Sequence, residues 1–234
     1  MTNGIDSRNL FPSHVAFIMD GNRRWAKKNN FPVIDGHKKG AEIIKKIVSK
    51  SIKLKIKYLT FFGFSTENWN RGRREVFQLQ SLLKYYLDSE THNFMKNEIN
   101  FSFIGDVEKF EDPIRSKLYN LKKSTKNFNK LFFTLALSYG SRNEILSSIN
   151  KLLKTNKTKI TEKNISENLM TSHLPDPDLV IRTSGEKRLS NFLLWQIAYS
   201  ELYFTKTLWP DFEVNRYMIA LKNFINRKRR YGGD

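Results

Sequence analysis

The sequence predicts an α/β protein built on a single open, mostly parallel sheet of about six strands flanked by helices. Short apolar runs rich in Val, Ile and Phe recur along the 234 residues, as expected for strands that are buried on both faces. Longer segments with apolar residues at helical spacing separate these runs. Strands separated by helices pair in parallel through right-handed crossovers, and a chain of this length suits one large domain or at most two.

The elements can be placed in order along the chain. Glycine, proline and polar clusters mark where each element begins and ends. The predicted strands lie at 15–19, 58–64, 100–104, 131–139, 179–182 and 202–205. The predicted helices are a short one after the first strand, followed by 36–54, 73–95, 112–125, 142–153, 162–170, 192–199 and 211–227.

Polar residues follow the first strand directly. In an open α/β sheet, ligands bind where strands end and helices begin. Gly21 lets backbone approach a ligand closely, and Arg23 and Arg24 offer forked donors that suit phosphate oxygens. Asp20 would repel a phosphate unless a cation lay between them, and Mg²⁺ prefers such oxygen ligands. The segment therefore favours a Mg²⁺–diphosphate site; the alternative is a surface turn in which Asp20 caps a helix.

Two further polar clusters follow strand ends, at 65–74 after the second strand and at 182–191 after the fifth. The first is basic and could close over an anionic substrate, although Trp69 could instead pack on the core. The second combines arginines, a glycine and hydroxyls ahead of a predicted helix. His37, at a helix start, could donate to a phosphate or serve in packing. Two anion pockets and one carboxylate together indicate two phosphorylated substrates and one metal ion.

The composition narrows the function classes. Lys+Arg of 41 against Asp+Glu of 23 gives a net charge of +18, which favours phosphate substrates, nucleic acid or an anionic membrane surface as partners. The absence of cysteine excludes disulfides and thiolate zinc sites. No signal peptide or membrane span is evident, so we expect a cytoplasmic protein with peripheral contact at the inner membrane face. Dinucleotide, P-loop and H-E-x-x-H motifs are missing.

Four segments carry a family resemblance. HVAFIMDGNRRWAKK, GFSTENWNR, DLVIRTSGEKRLSNFLLWQIAYSELYF and WPDF resemble the cis-prenyltransferase family in order and spacing from residue 14 to residue 232. The resemblance implies a homodimer and an apolar substrate tunnel, with helices 36–54 and 73–95 as candidate walls. It implies successive condensation of isopentenyl diphosphate onto farnesyl diphosphate with Mg²⁺. The expected product is undecaprenyl diphosphate, the lipid carrier precursor for bacterial cell-wall polysaccharides, released by transient contact with the inner membrane surface.

The resemblance also implies a role for each matching residue. Asp20 corresponds to the Mg²⁺ carboxylate, and Glu201 to a second acidic position tied to Mg²⁺ binding. Asn68 stands where the family places the proton acceptor; a carboxamide is a very poor base, so we expect it to orient water or a diphosphate oxygen. The allylic diphosphate pocket corresponds to Gly21, Asn22, Arg23, Arg24 and His37, the closing loop to Ser65, Glu67, Asn68, Trp69 and Arg71, and the isopentenyl diphosphate site to Arg182, Arg188 and Ser190. Trp25, Thr66 and Leu189 are also expected to bind substrate.

The chain ends are expected to differ from the domain between them. Residues 1–13 are predicted to form a flexible arm, residues 14–228 the catalytic domain and residues 229–234 a basic tail. Arg230 and Gly232 match the family's terminal motif, which reaches the active site of the dimer partner. Glycine in that motif would let the backbone lie close to a diphosphate.

Some positions depart from the family pattern. Val33 stands where an arginine is common, Arg23 where bacterial members often have glycine, and Lys187 where histidine is frequent. Two other functions remain as alternatives. One is a non-catalytic partner subunit, like the Nogo-B receptor half of eukaryotic complexes, but such subunits lose groups that this chain retains, namely Asp20, Asn22, Arg24 and Asn68.

The other alternative is a basic nucleic-acid-binding protein. The net charge favours it, but no recognisable nucleic-acid-binding module supports it, and we expect no nucleic-acid partner.

Overall fold

The six strands of the computed structural model form one parallel sheet in the order β3-β4-β2-β1-β5-β6. The structure describes residues 10–155 and 159–227. Each strand pairs in parallel with its neighbour, so the predicted fold class is confirmed. The strands are β1 His14–Ile18, β2 Tyr58–Ser65, β3 Ile99–Ile104, β4 Leu131–Tyr139, β5 Leu179–Arg182 and β6 Glu201–Phe204.

Helices connect the strands at nearly the predicted positions. They are α1 Asn22–Lys28, α2 Val33–Lys53, α3 Arg73–Lys96, α4 Asp112–Thr125, α5 Ser141–Leu153, α6 Glu162–Asn168 and α7 Val214–Ile225. Short 3₁₀ turns occupy Thr66–Asn70, Val107–Lys109 and Trp209–Asp211. The last of these turns contains Pro210, and it delays the start of α7 from the predicted residue 211 to Val214. Of the described helices, none is long and apolar enough to cross a membrane.

Alternation along β1 shows how the sheet divides the core. Val15 and Phe17 belong to the larger apolar cluster, where Phe17 stacks on Phe61 with ring centroids 4.8 Å apart. Ala16 and Ile18 belong to a smaller cluster on the opposite face. Successive side chains of a strand point to opposite faces, so a strand buried on both sides reads as one continuous apolar run. The larger cluster includes residues of α2, α3, α4 and α7.

The predicted helix at 192–199 is wrong. That segment is a succession of turns, although Phe192 is completely buried. Asn191 and Leu193 adopt left-handed backbone conformations with φ of 60° and 46°, which a right-handed helix does not allow. Ser141 holds the turns in place because its Oγ accepts from the Leu194 backbone N–H at 2.9 Å. The apolar spacing that indicated a helix instead reflects burial of these turns against the sheet.

The predicted N-terminal arm is anchored at its described end. The Ser13 backbone N–H donates to Asp178 Oδ2 at 2.8 Å, and the Ser13 carbonyl accepts from Tyr58 N–H at 2.9 Å. Phe11 packs against the larger apolar cluster. Residues 1–9 of the arm lie outside the described residues, as does the basic tail with Arg230 and Gly232.

Candidate functional site

The carboxyl ends of β2, β1 and β5 form the base of a polar cavity of about 740 Å³. These three strands are adjacent in the sheet, so the polar clusters that follow them in the sequence meet at one edge. The cavity brings together most of the residues singled out in the sequence, from all three clusters and from the start of α2. Those lining it are Asp20, Gly21, Asn22, Arg23, Arg24, His37, Ser65, Glu67, Asn68, Arg71, Arg182, Arg188 and Ser190.

Two predicted substrate-binding tryptophans do not line this cavity. Trp69 Nε1 donates to Ser138 Oγ at 2.9 Å, and its ring packs on Phe64 with a centroid distance of 4.9 Å. Trp25 Nε1 donates to Asp211 Oδ1 at 2.7 Å. Both rings therefore hold segments of the fold together, and for Trp69 this is the packing role that the sequence left open.

Two smaller predicted residues also lie away from the cavity lining. Leu189 packs against the smaller apolar cluster. Thr66 lies against the backbone of Gly140, where an added Cβ would be 2.8 Å from the threonine Oγ1. Their neighbours Ser190 and Glu67 do line the cavity. Leu189 and Thr66 thus support the loops rather than present their side chains to the site.

The most buried charge in the cavity is the Arg182 guanidinium, whose side chain is 3% exposed. Its Nε and Nη2 donate to Asp20 Oδ2 at 3.0 and 2.6 Å, and its Nη1 donates to Ser190 Oγ at 2.9 Å. The Arg188 carbonyl also accepts from Nη1. All three nitrogens are therefore engaged. A cation that binds Asp20 and an anion that binds Arg182 must each break this ion pair. Binding at the two groups is therefore energetically linked.

The other arginines of the cavity are held by two carboxylates. Arg24 donates to the Ser184 carbonyl at 3.0 Å and to Glu186 at 3.1 Å, which links the loops after β1 and β5. Glu75, at the start of α3, accepts from Arg71 at 3.0 Å and lies 3.5 Å from Arg23. These contacts orient guanidinium groups before any anion arrives.

His37 lies among these charges as a neutral imidazole. Burial, followed by the positive charge of Arg71, lowers the pKa of His37 to about 4. Its Nε2 is buried without a hydrogen-bond partner among the described residues, and so is Asn22 Oδ1. Two orphaned buried polar atoms in one cavity indicate a place where a ligand completes the hydrogen bonding. An anion bound there would raise the pKa of His37.

Two glycines of α2 bring His37 and Asn22 together. A Cβ on Gly36 would lie 2.2 Å from the Asn22 carbonyl oxygen, and one on Gly40 would lie 2.5 Å from Asn22 Oδ1. Only a residue without a side chain therefore allows α2 to pack this closely on α1. The sequence segment D-G-H-K-K-G at 35–40 encodes this close packing.

The loop after β2 presents Glu67 and Asn68. Asn68 Oδ1 accepts from the Ser65 backbone N–H at 3.1 Å, so its amide nitrogen is the group left to interact with a ligand. Asn68 can therefore donate and orient, but its oxygen is occupied. Burial acts to raise the pKa of Glu67, but hydrogen bonds from its own backbone N–H, Ser65 and Asn191 outweigh burial and lower it. Glu67 is thus a carboxylate at neutral pH.

A second, mainly apolar cavity of about 510 Å³ opens from the polar one. Its walls are apolar side chains of α2 and α3, with the face of the sheet between them; the two helices are the walls expected from the sequence. The two cavities share the lining residues Met19, Asn22, His37, Gly63 and Leu79. A ligand with a charged head and an apolar tail could therefore occupy both at once.

The two predicted metal ligands are not neighbours within one chain. Glu201 pairs with Leu179 and Leu179 with Val15, so Glu201 lies at the amino ends of the strands. Asp20 follows the carboxyl end of β1, roughly 15 Å further at about 3.3 Å per residue. Glu201 instead forms an ion pair with Arg227. In the described part of the chain, no group of three or more His, Asp or Glu residues could hold an ion by itself.

Sequence reasoning missed several cavity residues. Glu186 and Asn191 line the polar cavity, and Glu75 orients two arginines from outside it. Lys27, one of the lysines that could supply the charge absent at Val33, also lines the cavity. Glu186 and Asn191 lie in the polar cluster after β5, so membership of that cluster was the available signal. Lys27 lies one helical turn after Arg23 on α1, a spacing that places both on the same side of the helix.

A family model described as putative undecaprenyl diphosphate synthase matches residues 18–232. The chain belongs to this prenyltransferase family. Isoprenyl transferases from Aquifex pyrophilus and Fusobacterium nucleatum are 48% and 46% identical to it, over 94% and 95% of this chain and 96% of each relative. A probable undecaprenyl diphosphate synthase from Campylobacter jejuni has a similar structure, with a TM-score of 0.81, 35% identity and coverage of 95% of this chain and 99% of that chain.

A plant member of the same fold is also similar. Lavandulyl diphosphate synthase from Lavandula x intermedia, in complex with dimethylallyl diphosphate, gives a TM-score of 0.92 at 34% identity and covers 96% of this chain and 99% of that chain. The present prenyltransferase is therefore an enzyme that transfers prenyl groups, with the cis-prenyltransferase activity of its family. This activity excludes the alternative from the sequence analysis that the chain is a non-catalytic partner subunit.

Proposed function

We propose that this enzyme condenses isopentenyl diphosphate successively onto farnesyl diphosphate to make undecaprenyl diphosphate in a Mg²⁺-dependent reaction. The observation that carries the proposal is the junction of the two cavities at Asn22 and His37. A cation-lined cavity suits diphosphate groups, and an adjoining apolar cavity suits a growing hydrocarbon chain. The dimethylallyl diphosphate in the plant relative's structure supports an allylic diphosphate in this fold.

The arginines provide the electrostatic part of the mechanism. The allylic C–O bond breaks, and its electron pair leaves with the diphosphate. Arg23 and Arg24, already oriented by Glu75 and Glu186, stabilise the charge that develops on the leaving group. The single N–H of neutral His37 adds one donor to this stabilisation, and the uncharged ring avoids repulsion with the nearby arginines.

The second substrate is held on the other side of Asp20. Arg182, Arg188 and Ser190 bind the diphosphate of isopentenyl diphosphate, whose alkene attacks the allylic carbon and forms the new C–C bond. The proton lost afterwards goes to a diphosphate oxygen. Asn68 orients that oxygen through its amide N–H groups, because its own oxygen is held by Ser65.

The donor set fits Mg²⁺ only as a site shared with substrate. Asp20 offers a single carboxylate, 36% exposed, on the wall of a cavity rich in phosphate-binding groups. Mg²⁺ in such sites is held by one or two carboxylates together with substrate phosphates and water. When bound, the ion would neutralise charge on the diphosphates. Asp20 would be its protein ligand, and Glu201 of the same chain is too distant to share it.

We also propose a homodimer that releases its product at the inner membrane surface. β6 ends the sheet, and Tyr199, just before it, is 80% exposed. An edge strand can offer its backbone groups to a second chain, and the exposed Tyr199 ring beside it can pack on that chain. Analytical ultracentrifugation should give twice the mass of the 27.6 kDa chain, and a monomer at assay concentration would contradict the homodimer.

One assay tests the reaction. Purified enzyme is incubated with radiolabelled isopentenyl diphosphate, farnesyl diphosphate and Mg²⁺, and products are separated by chromatography after removal of the diphosphate. We expect products extended through cis double bonds to the undecaprenyl length, and no transfer when EDTA replaces Mg²⁺. Transfer that is unaffected by EDTA would refute the Mg²⁺ role, and a product set ending after a single addition would refute the undecaprenyl assignment.

A further inference from the structure

α2 and α3 form opposite walls of the apolar cavity and are bridged across it by one polar cluster. Lys45 Nζ on α2 lies 2.5 Å from Glu90 Oε1 on α3, and the same Nζ lies 5.4 Å from the centroid of the Tyr86 ring. The Tyr86 hydroxyl donates to the Lys38 carbonyl at 3.2 Å. We call Lys45, Tyr86 and Glu90 the clasp. All three residues line the apolar cavity.

The clasp lies part of the way along the cavity. His37 and Leu79 line the junction with the polar cavity, whereas Lys53 on α2 and Asn97 beyond α3 line the far end. Lys45 is eight residues from His37, which corresponds to about 12 Å along α2. A chain that grows from the junction therefore passes the clasp before it reaches the deepest part of the cavity.

The electrostatics of the clasp make it costly to open. The Glu90 side chain is 15% exposed and the Lys45 side chain is 45% exposed, so the carboxylate depends on the lysine for compensation. The Tyr86 ring covers the ammonium group from one side, which adds a cation–π contact. Separating α2 from α3 would break the ion pair, the cation–π contact and the hydrogen bond from Tyr86 to the Lys38 carbonyl together.

We propose that the clasp is a specificity-determining device that fixes the separation of α2 and α3 and thereby the product length at which elongation stops. This inference rests on the proposed function, because it concerns how far the apolar cavity widens around a growing prenyl chain. With the clasp closed, the walls resist further widening. With the clasp broken, α3 moves away from α2 and longer chains fit.

Product analysis provides the first test. Lys45→Met keeps the apolar stem but removes the charge, and Glu90→Gln keeps the shape. Both variants should shift the main product to longer chains by at least one isoprene unit, and the charge-reversed double variant Lys45→Glu/Glu90→Lys should return it toward the wild-type length. Lys39→Met is the matched control, because Lys39 pairs at 2.9 Å with Glu42 on the same helix and lines neither cavity.

A distance measurement provides a second test that does not depend on turnover. The chain has no cysteine, so spin labels on cysteines introduced at Lys50 in α2 and Lys84 in α3 are the only labels on that chain, and mixing it with excess unlabelled chain confines the measured distance to one chain of the proposed dimer. Neither position lines a cavity. The distance between the labels, measured by pulsed electron paramagnetic resonance, should become longer or broader in Lys45→Met and Glu90→Gln but remain unchanged in Lys39→Met.

The possible outcomes distinguish a failure of the clasp proposal from a failure of the proposed function. Active clasp variants that make wild-type products would refute the proposal that the clasp fixes product length. Clasp variants that keep the wild-type label distance would refute it as well. A shift to shorter products also overturns it. A wild-type enzyme that makes no elongated product overturns the proposed function and with it the length assignment. Circular dichroism and denaturant unfolding confirm beforehand that each variant is folded.

Discussion

Replacing Asp20 with alanine should destabilise the ligand-free enzyme, because it leaves the Arg182 charge buried. Arg182 is 3% exposed and donates to Asp20 Oδ2 from both Nε and Nη2. Removing one partner of a fully buried pair costs about 3–5 kcal/mol. Asp20 is 36% exposed, so water reaches the vacated position. Arg182 Nη1 also keeps its bond to Ser190. We therefore expect a loss of about 2–3 kcal/mol in the free energy of unfolding.

Thermal and urea unfolding at pH 7 measure this loss. For a chain of this size, 1 kcal/mol corresponds to about 2–4 °C in Tm, so Asp20→Ala should unfold about 4–12 °C below wild type. The control is Glu42→Ala. Glu42 pairs with Lys39 at 2.9 Å with the two side chains 53% and 37% exposed, and an exposed pair contributes less than about 1 kcal/mol.

Inorganic diphosphate without Mg²⁺ should then reverse the loss. In the variant, the anion takes the place of the carboxylate beside Arg182, and a ligand at 100 times its Kd stabilises by about 2.7 kcal/mol. Wild type should gain less, because Asp20 competes for the same donors. If Asp20→Ala is as stable as wild type, or if diphosphate stabilises both proteins equally, then Asp20 does not compensate Arg182 in the way described.

Three further predictions test other parts of the molecule. Burial lowers the pKa of His14 from 6.5 to about 4, so keeping it neutral contributes about 3 kcal/mol to the free energy of unfolding. This contribution is complete above pH 6.5 and is lost as the pH falls toward 4. Urea unfolding across this range should show a shallower pH dependence for His14→Gln than for wild type, and parallel curves would contradict the assignment. Gly36→Ala should lower stability and diphosphate affinity, because its Cβ would lie 2.2 Å from a backbone oxygen, whereas Gly72→Ala, with nothing within 4 Å, is the neutral control. Arg188→Ala should weaken isopentenyl diphosphate more than farnesyl diphosphate in calorimetric titrations without unfolding the enzyme, since the Arg188 side chain is 64% exposed; equal weakening would argue against two separate anion sites.

The sequence predicted the sheet and the location of the site for simple physical reasons. β1 is buried on both faces, so its apolar run identified it as a central strand. Asp20 follows β1 closely and Arg182 is the last residue of the adjacent β5, so their clusters had to meet once these strands paired in parallel. Local pattern and one topological rule are sufficient for both results.

Details that depend on distant partners could not be predicted in the same way. The bond between Arg182 and Asp20 joins residues that are 162 positions apart, and no local pattern shows that the two would neutralise each other. The turns at 192–199 require left-handed conformations at Asn191 and Leu193, and a leucine carries no sequence signal for that conformation. Trp69 could equally face a ligand or the core until the position of Ser138 was known.

The Asp20–Arg182 pair has a consequence for selectivity. A cavity with several arginines attracts any small anion, including free orthophosphate and the carboxylates of metabolites. Because Asp20 already occupies Nε and Nη2 of Arg182, a weak monovalent anion gains little by entering and must displace an internal competitor. An anion of higher charge that arrives with its own cation satisfies both halves of the broken pair. We therefore expect Asp20, as an internal competitor, to weaken the binding of orthophosphate to Arg182 more than that of a diphosphate accompanied by a divalent cation.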